Sequence, residues 1–483
     1  MSKLPLVEGV LKYVKENNIY FCMPGHKGGI GFQNTKIGEE LYKNFLKADI
    51  TEVDGLDNLH HPEGIIKESL DLLSEFYGSK KSYFLVNGST SGNLAMIFSS
   101  FKEGDKVIIE RNCHRSIFNG IIMRKLKPVY VRNKISKKYN APMSIDMEHF
   151  LSLINKHKDA KGIIVTYPNY YGICTNLELI ISEAKKYNMK VLVDSAHGAH
   201  FGVNEKLPQS ALKLGADMIV MSSHKTTPSL TQTAYLHVNK NSNIDINKVD
   251  FYVSSFLSTS PSYMLMCSMD YARYYLQEFG EEGYRKLIDL EEIYKEKINK
   301  LEWLHVLSED DIVKEMDFKN PKYPVLDLSR FVINVKEGYS GHKLLKYLRS
   351  KKIQCEMSDF RNVVLLFSPF NKEEDFIRLY EALNECDVNK LKDDLIINIE
   401  DVYIPKAKLL PYEVLDKKKK KINIDESLGK ICAEEVVPYP PGIPLLNAGE
   451  FIDNKILNMI KYYMKQKITV LGLENNKITV VEE

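Results

Sequence analysis

The chain predicts an α/β protein whose largest unit is a mainly parallel sheet covered on both faces. Three observations carry this reading. The apolar runs Tyr83–Val86, Val107–Ile109, Pro128–Val131, Gly162–Thr166, Val191–Val193 and Met218–Met221 are near-continuous rather than alternating, as strands buried on both faces are. Stretches with apolar residues at helical spacing separate most of them. Polar residues close several runs, at Tyr167–Tyr171, at Asp194 and at Ser222–Lys225, and parallel sheets take ligands at the C-terminal ends of their strands.

Residues 1–60 are rich in turn formers, including Met23-Pro-Gly-His-Lys-Gly-Gly29 and Asp54-Gly-Leu-Asp-Asn-Leu-His-His61. They read as an N-terminal arm and loops with a short helix near Val7 to Glu16. Residues 61–300 form the large unit. Its first helix places Ile65, Ile66, Leu70, Leu73, Phe76 and Tyr77 at helical spacing, and Gly78 stops it. Asn87-Gly-Ser-Thr-Ser-Gly-Asn93 then leads from a strand into a helix starting near Leu94. Two amphipathic helices around Tyr271 to Leu301 bridge to residues 301–392. There Phe331–Val335, His342–Ser350 and Val363–Phe367 read as strand, helix and strand of a small α/β domain. Residues 393–483 form a C-terminal α+β segment, with Asp416-Lys-Lys-Lys-Lys-Lys421 expected as a solvated loop. Pro438-Tyr-Pro-Pro-Gly-Ile-Pro444 is too rich in proline for a helix or a central strand and is expected to be a rigid loop.

Composition narrows the function. Lys plus Arg number 66 against 64 Asp plus Glu in 483 residues, which argues against a nucleic-acid or membrane-surface role. The N-terminus lacks the apolar core of a signal peptide, and no run reaches the length of a membrane span. The 7 cysteines are odd in number, scattered and never spaced Cys-x-x-Cys, so reduced thiols in the cytoplasm are expected, not a disulfide frame or a metal cluster. His60, His61 and Glu63 are not expected to hold a metal, since adjacent histidines rarely share one ion.

Lys225 follows one apolar run and Asp194 ends another. Alone, Asp194 could close a turn or cap a helix, and His197 could be a satisfied core histidine. Together with Lys225, they match what pyridoxal phosphate chemistry requires. A lysine holds the cofactor as a Schiff base, and a carboxylate keeps the pyridine nitrogen protonated so that the ring accepts electrons. Asn87–Asn93 can gather backbone N–H groups and hydroxyls around an anion at a helix N-terminus. It is no Walker loop, and the chain has no G-x-G-x-x-G after a strand, so a single phosphate monoester fits better than a nucleotide. His114, after the run Val107–Ile109, could lie flat against a cofactor ring.

Met23-Pro-Gly-His-Lys27, Asp49-Ile-Thr-Glu52, Asn87-Gly-Ser-Thr-Ser91, Arg111-Asn-Cys-His114, Tyr167-Pro-Asn-Tyr-Tyr-Gly172, Asp194-Ser-Ala-His-Gly198, Ser222-Ser-His-Lys225 and Pro438–Pro444 together resemble the ornithine/lysine/arginine decarboxylase family. The likeness spans nearly the whole chain in one order. It implies the aspartate-aminotransferase fold, pyridoxal-phosphate fold type I, and the cofactor pyridoxal 5′-phosphate. It further implies that Lys225 carries the cofactor, Asp194 pairs with its ring nitrogen and His114 stacks on the ring. Ser89, Thr90, Ser222 and His224 would hold the phosphate, with Ser91 in the same cradle and His197 beside the ring. His224 or Lys225 would return a proton to the α-carbon.

The substrate implied is a basic amino acid, arginine first, as in biosynthetic members that feed polyamine synthesis, with lysine or ornithine as alternatives. Its distal cation needs acceptors, for which Glu52, Asp54, Asp57, Glu434 and Glu435 are candidates. An aminotransferase or lyase on the same scaffold would share Asp194 and Lys225 and would use an arginine for the substrate carboxylate, for which Arg361 is a candidate. A catalytically silent relative is the other alternative. A homodimer with its active site between subunits is the minimum assembly implied, with Ser258–Ser262 reaching the partner's site and Pro438–Pro444 near the substrate entrance. Two departures stand out. The chain starts almost directly at the Met23 motif, as in the shorter clade without the flavodoxin-like domain that helps build decamers. Leu446-Asn-Ala-Gly-Glu450 stands where family members often have proline before Gly-Glu.

Overall fold

A computed structural model describes residues 4–316, 321–393, 402–439 and 442–482. The large unit is built on a 7-stranded sheet. Its strands are β1 (Ser79–Leu85), β2 (Lys106–Glu110), β3 (Lys127–Val131), β4 (Gly162–Thr166), β5 (Lys190–Asp194), β6 (Met218–Met221) and β7 (Ala234–Asn239). They lie in the order β1-β7-β6-β5-β4-β2-β3. From β6 to β3 every pairing is parallel, and β7 runs antiparallel to β1 and β6. β5 and β6 are buried almost end to end. Strand β7 is the one the apolar runs did not mark, because His237 interrupts it. That histidine is buried and bonded through Nδ1 to Ser82 Oγ at 2.7 Å, so the sheet accommodates it without an unpaired Nδ1.

Helix α1 (Ile65–Tyr77) ends at Gly78 with φ 71°, as expected. Helix α2 (Gly88–Ser100) starts earlier than expected, so the Gly-Ser-Thr-Ser run forms its first turn rather than a loop before it. Gly92 brings α2 close to the sheet: a Cβ there would lie 2.5 Å from Leu85 Cδ1 and 2.9 Å from Val220 Cγ1. Helix α3 (Arg115–Met123) follows β2.

The two helices expected around Tyr271 to Leu301 are one helix of 37 residues, α4 (Tyr263–Asn299). The run contains no proline, and its glycines serve packing rather than breaks. A Cβ at Gly283 would lie 2.9 Å from Tyr275 Oη and 3.1 Å from Pro369 Cβ.

A second core gathers on a 4-stranded sheet of Leu304–Val306, Arg330–Val335, Asn362–Leu366 and Met357–Ser358, paired antiparallel in that order. Helix α5 (Gly341–Ser350) follows the second of these strands. Ile19–Phe21 from the N-terminal arm pairs in parallel with Ile353–Cys355, and Phe21 is buried in this core. A third core holds Ile424, Val436, Leu446, Ile452, Ile456, Ile460 and Val480.

One expectation fails in the C-terminal segment. The lysine run is not a loop throughout: Lys419–Asn423 is a strand paired with Lys477–Val481, and its lysines project into solvent. Val437–Tyr439 pairs with Thr469–Leu471, while Pro440 and Pro441 of the expected rigid loop lie outside the described residues. Among the described residues no helix is long and apolar enough to cross a membrane.

Candidate active site

Lys225 and Asp194 both lie at the C-terminal edge of the central sheet. Asp194 is the last residue of β5, and Lys225 lies in the short helical turn Ser223–Thr226 directly after the neighbouring strand β6. The Lys225 amine is largely buried and sits 3.1 Å from His197 Nε2. Its pKa is lowered to about 8: burial lowers it most and Arg330 adds to this, while Asp194 and Glu356 oppose. Such an amine is partly free base near neutral pH and so nucleophilic.

Asp194 is 2 % exposed. Its Oδ2 accepts from Asn93 Nδ2 at 2.9 Å and its Oδ1 from the Ala196 backbone N–H at 3.1 Å. The same Asn93 amide donates to Ser116 Oγ at 2.9 Å, and that hydroxyl lies 2.7 Å from His114 Nδ1. Since the Ser116 backbone N–H also donates to Nδ1, this nitrogen is an acceptor and neutral His114 carries its proton on Nε2. Burial holds the His114 pKa below its ordinary value, and Lys225 adds to this while Asp194 opposes. Asn93 and Ser116 therefore couple the acid of β5 to the imidazole that caps α3.

The expected anion cradle falls at the start of α2, whose N-cap side chain is turned away from the helix. The Asn87 side chain makes no cap bond to the helix and donates instead to Phe256 O at 3.1 Å. The first-turn N–H groups thus have no side-chain acceptor from Asn87. Ser89 is half-buried and Thr90 exposed. Among the described residues, the buried Ser222 Oγ has no hydrogen-bond partner, which marks a donor waiting for one. Ser91 differs from expectation: its hydroxyl donates to Gly88 O at 2.8 Å, so its hydrogen is already committed. His224 donates from Nδ1 to Thr233 O at 2.8 Å. Burial, opposed by that bond and aided by Lys225, lowers its pKa. In its neutral form it therefore presents a bare Nε2, which accepts rather than donates. A lysine amine, a buried carboxylate on the adjacent strand and an open helix N-terminus with an unpaired serine fit a cofactor bearing an aldehyde, a basic ring nitrogen and a phosphate.

Three further residues stand around the Lys225–His197 pair that sequence reasoning did not single out. Arg330, at the start of the second strand of the smaller sheet, donates from Nη2 to His197 Nδ1. Tyr170 sets its ring edge-on to His197, centroids 5.1 Å apart, and donates to Glu356 Oε1. Glu356 also accepts the Met23 N–H at 2.9 Å. Tyr170 was within reach, as it stands in the Tyr167–Gly172 run. Arg330 carries no such signal, because an arginine opening an apolar strand reads as an edge charge.

The candidate substrate carboxylates separate. Asp57 is corrected: its carboxylate accepts backbone N–H groups from Asn58, Glu63, Gly64, Ile66 and Lys67 at 2.8–3.2 Å, so it anchors the start of α1 and has no acceptor to spare. Glu52 and Asp54 are exposed. Glu434 is exposed and accepts from Thr479 Oγ1 at 3.2 Å. Glu435 is half-buried, and burial raises its pKa against the pull of Arg115 and Arg111, the residues flanking His114. Arg361 is also corrected. It donates to Val335 O at 3.2–3.3 Å and lines a separate cleft of about 720 Å³ with His342 and Lys467. His60 bonds through its ring nitrogens to Ser254 Oγ at 3.0 Å and Ser258 O at 2.9 Å, which ties the early loop to the exposed Ser258–Ser260 turn.

Residues 4–375 match the family model "Orn/Lys/Arg decarboxylase, major domain", and residues 402–471 match "Orn/Lys/Arg decarboxylase, C-terminal domain". The chain is 36 % identical over 475 residues to the uncharacterised protein YaaO of Bacillus subtilis (strain 168), covering 97 % of this chain and 96 % of that one. It is 32 % identical to an arginine decarboxylase of Bacillus anthracis over 98 % of this chain and 95 % of that one. Among solved structures it is similar to the Francisella novicida lysine decarboxylase LdcF, with a TM-score of 0.77 and 23 % identity, covering 99 % of this chain and 81 % of that one.

Proposed function

Because the chain belongs to the Orn/Lys/Arg decarboxylase family, whose members are pyridoxal-phosphate-dependent amino-acid decarboxylases of fold type I, we propose that it converts L-arginine to agmatine and CO2. The observation that carries the chemistry is the buried Lys225 amine at the sheet edge beside Asp194. The choice of arginine is supported by the likeness to an arginine decarboxylase along nearly the full length of both chains. Lysine is the second reading, favoured by the likeness of fold to lysine decarboxylases.

When bound, pyridoxal 5′-phosphate supplies a protonated ring that accepts the electron pair left on the α-carbon as CO2 departs. In this reading Lys225 carries the cofactor and Asp194 keeps the ring nitrogen protonated. Ser89, Thr90, Ser222 and the N-terminus of α2 receive the phosphate. His114, held by Ser116, covers the ring face. The released Lys225, or His224 in its protonated form, returns a proton to the α-carbon, and a lysine titrating near 8 suits that exchange. Glu435 and Glu356 are the acceptors proposed for the substrate's distal cation, while exposed Glu52 and Asp54 are free to serve a neighbouring subunit.

The proposed assembly is a homodimer with its sites at the subunit interface. The helix Pro5–Val14 supports this: none of its residues is buried, and Leu6, Val7, Val10, Leu11 and Val14 stand exposed as a face for a second copy. The free cysteines support a cytoplasmic setting.

Incubating the holoenzyme with L-arginine, L-lysine and L-ornithine separately, and identifying the amine by chromatography, tests the substrate. Agmatine with CO2 and no keto-acid requirement is expected. Cadaverine or putrescine as the main product would move the reading to lysine or ornithine. Dependence on a keto acid would replace it with amino transfer, and a protein that never gains visible absorbance with the cofactor would be a silent homologue.

A further inference from the structure

Arg330 stands outside the chemistry assigned so far, yet it is wholly buried beside it. It opens the second strand of the smaller sheet and crosses to the large unit. Its place is prepared: at Gly172, with φ +84°, a Cβ would lie 2.6 Å from both Cβ and Cγ of Arg330, so only glycine admits its stem. Asp327 flanks it, with Oδ2 3.8 Å from Arg330 Nε. The Asp327 carboxylate is itself held by His200 Nε2 at 3.0 Å and Ser329 Oγ at 2.8 Å. Arg330 Nε and Nη1 make no hydrogen bond among the described residues. Burying an under-bonded guanidinium is costly, so a role at the site is the natural reason for it.

We propose that Arg330 is a positioning residue that fixes the tautomer of His197 and thereby keeps Lys225 in its reactive free-base form. Donors and acceptors decide the tautomer. Arginine only donates, so its Nη2 contact obliges His197 Nδ1 to accept. A neutral imidazole accepting at Nδ1 carries its hydrogen on Nε2, and a protonated one would set N–H against N–H. The Nε2–H therefore points at the Lys225 amine 3.1 Å away, and only an unprotonated amine has a lone pair to receive it. Burial pushes the His197 pKa well down, and Lys225 and Arg330 push it further, which agrees with a neutral ring.

The other charged and titratable groups around the three are few. Asp194, Glu356, His114 and His224 act on Lys225 or His197, Asp327, Glu356, Tyr170 and Tyr284 act on Arg330, and Arg330 in turn acts on buried Lys27. Asp194 and Glu356 favour the protonated lysine, and Arg330 with His197 opposes them. Without Arg330, His197 can turn its bare nitrogen to the amine and accept from an ammonium, so the Lys225 pKa rises.

This inference rests on Lys225 carrying the cofactor but not on which amino acid is used, so its deciding measurement, cofactor attachment, needs no substrate. Pyridoxal phosphate is added to cofactor-stripped protein across a pH series, and attachment is followed by visible absorbance. The wild type should reach half-maximal attachment rate near pH 8. For Arg330→Met the midpoint should move up by about one unit, with attachment at neutral pH roughly 10-fold slower. Arg330→Gln, which keeps an N–H for Nδ1, should move it less. In a His197→Gln background, changing residue 330 should move the midpoint much less, because only the direct effect of the Arg330 charge remains.

An unmoved midpoint in folded Arg330→Met would overturn the proposal, and a raised KM with that midpoint unmoved would assign Arg330 to the substrate carboxylate instead. A full shift that persists without His197 would equally overturn it. Should Arg330→Met fail to fold, the Arg330→Gln variant with and without His197 gives the same decision.

Discussion

At Asp194 a nearly buried carboxylate stays in place through Asn93 and the Ala196 N–H rather than through a guanidinium, which leaves its charge available to a ring nitrogen. Asp194→Asn keeps the shape and removes the anion. It should lower kcat roughly 10²–10³-fold while borohydride still traps the cofactor on Lys225, a combination that mass spectrometry of the reduced protein beside steady-state rates would check. Loss of both trapping and activity would mean that the carboxylate serves attachment instead. Lys225 predicts its own pH dependence. Its pKa is lowered to about 8, chiefly by burial, and the attacking amine must be neutral. Cofactor attachment should therefore accelerate as pH rises through about 8 and level off above it, and Lys225→Met should show no attachment at any pH. Both residues could be read in the sequence because each closes an apolar run. Asn93, Ser116 and Arg330 could not, since their roles depend on partners 101, 23 and 133 residues away respectively, and no local pattern encodes such contacts.

The elements themselves were readable in proportion to how plainly burial marked them. Strands β2, β4, β5 and β6 lie where continuous apolar runs placed them, because both faces of a parallel strand are covered. His237 hides strand β7 from the apolar pattern, and the long helix α4 reads as two because helical periodicity does not show where a glycine is needed for packing. Asp57 shows the opposite error, a carboxylate taken for a ligand group that instead organises the start of a helix. It accepts from Gly64, Ile66 and Lys67 at 2.9–3.2 Å, and these bonds, opposed by burial, hold its carboxyl below the ordinary range. Asp57→Ala should cost about 1–2 kcal/mol of stability, seen as a lower midpoint in thermal denaturation, with kcat/KM for the amino acid little changed. The sign with pH follows from the lowered pKa. The contribution is present above the unfolded carboxyl's pKa and fades as pH falls through the folded one, so wild type and variant should converge in acid. A large loss of kcat/KM in a protein of normal stability would return Asp57 to the substrate.

Across the whole molecule, the C-terminal segment is fastened beside the cofactor site by one buried pair. Arg111, three residues before His114, is fully buried; its Nη1 and Nη2 meet Glu450 Oε1 and Oε2 at 2.5 and 2.8 Å. It also donates to Pro444 O and Leu445 O at 3.1 Å, and its guanidinium lies 4.9 Å from the Tyr130 ring centroid. The residues before Gly449 depart from the expected proline pattern, yet this geometry is complete, because Glu450 also accepts the Asn447 N–H at 2.7 Å and closes its own loop. A bidentate pair of this kind gains little over an apolar replacement but is costly to break on one side, since the surviving charge stays buried and unpaired. Arg111→Met should therefore destabilise the protein by about 3–5 kcal/mol, and it should pull the C-terminal segment, Glu435 included, away from the His114 turn. Arg111→Met with Glu450→Leu should recover part of that loss, though not all, because the carbonyls of Pro444 and Leu445 still lose a donor. Urea denaturation of the two variants and the wild type measures the difference. If the double variant is no more stable than the single one, the cost lies in those carbonyls and the ring contact rather than in the stranded carboxylate. The fastening would then be a matter of shape and hydrogen bonding, with charge contributing little.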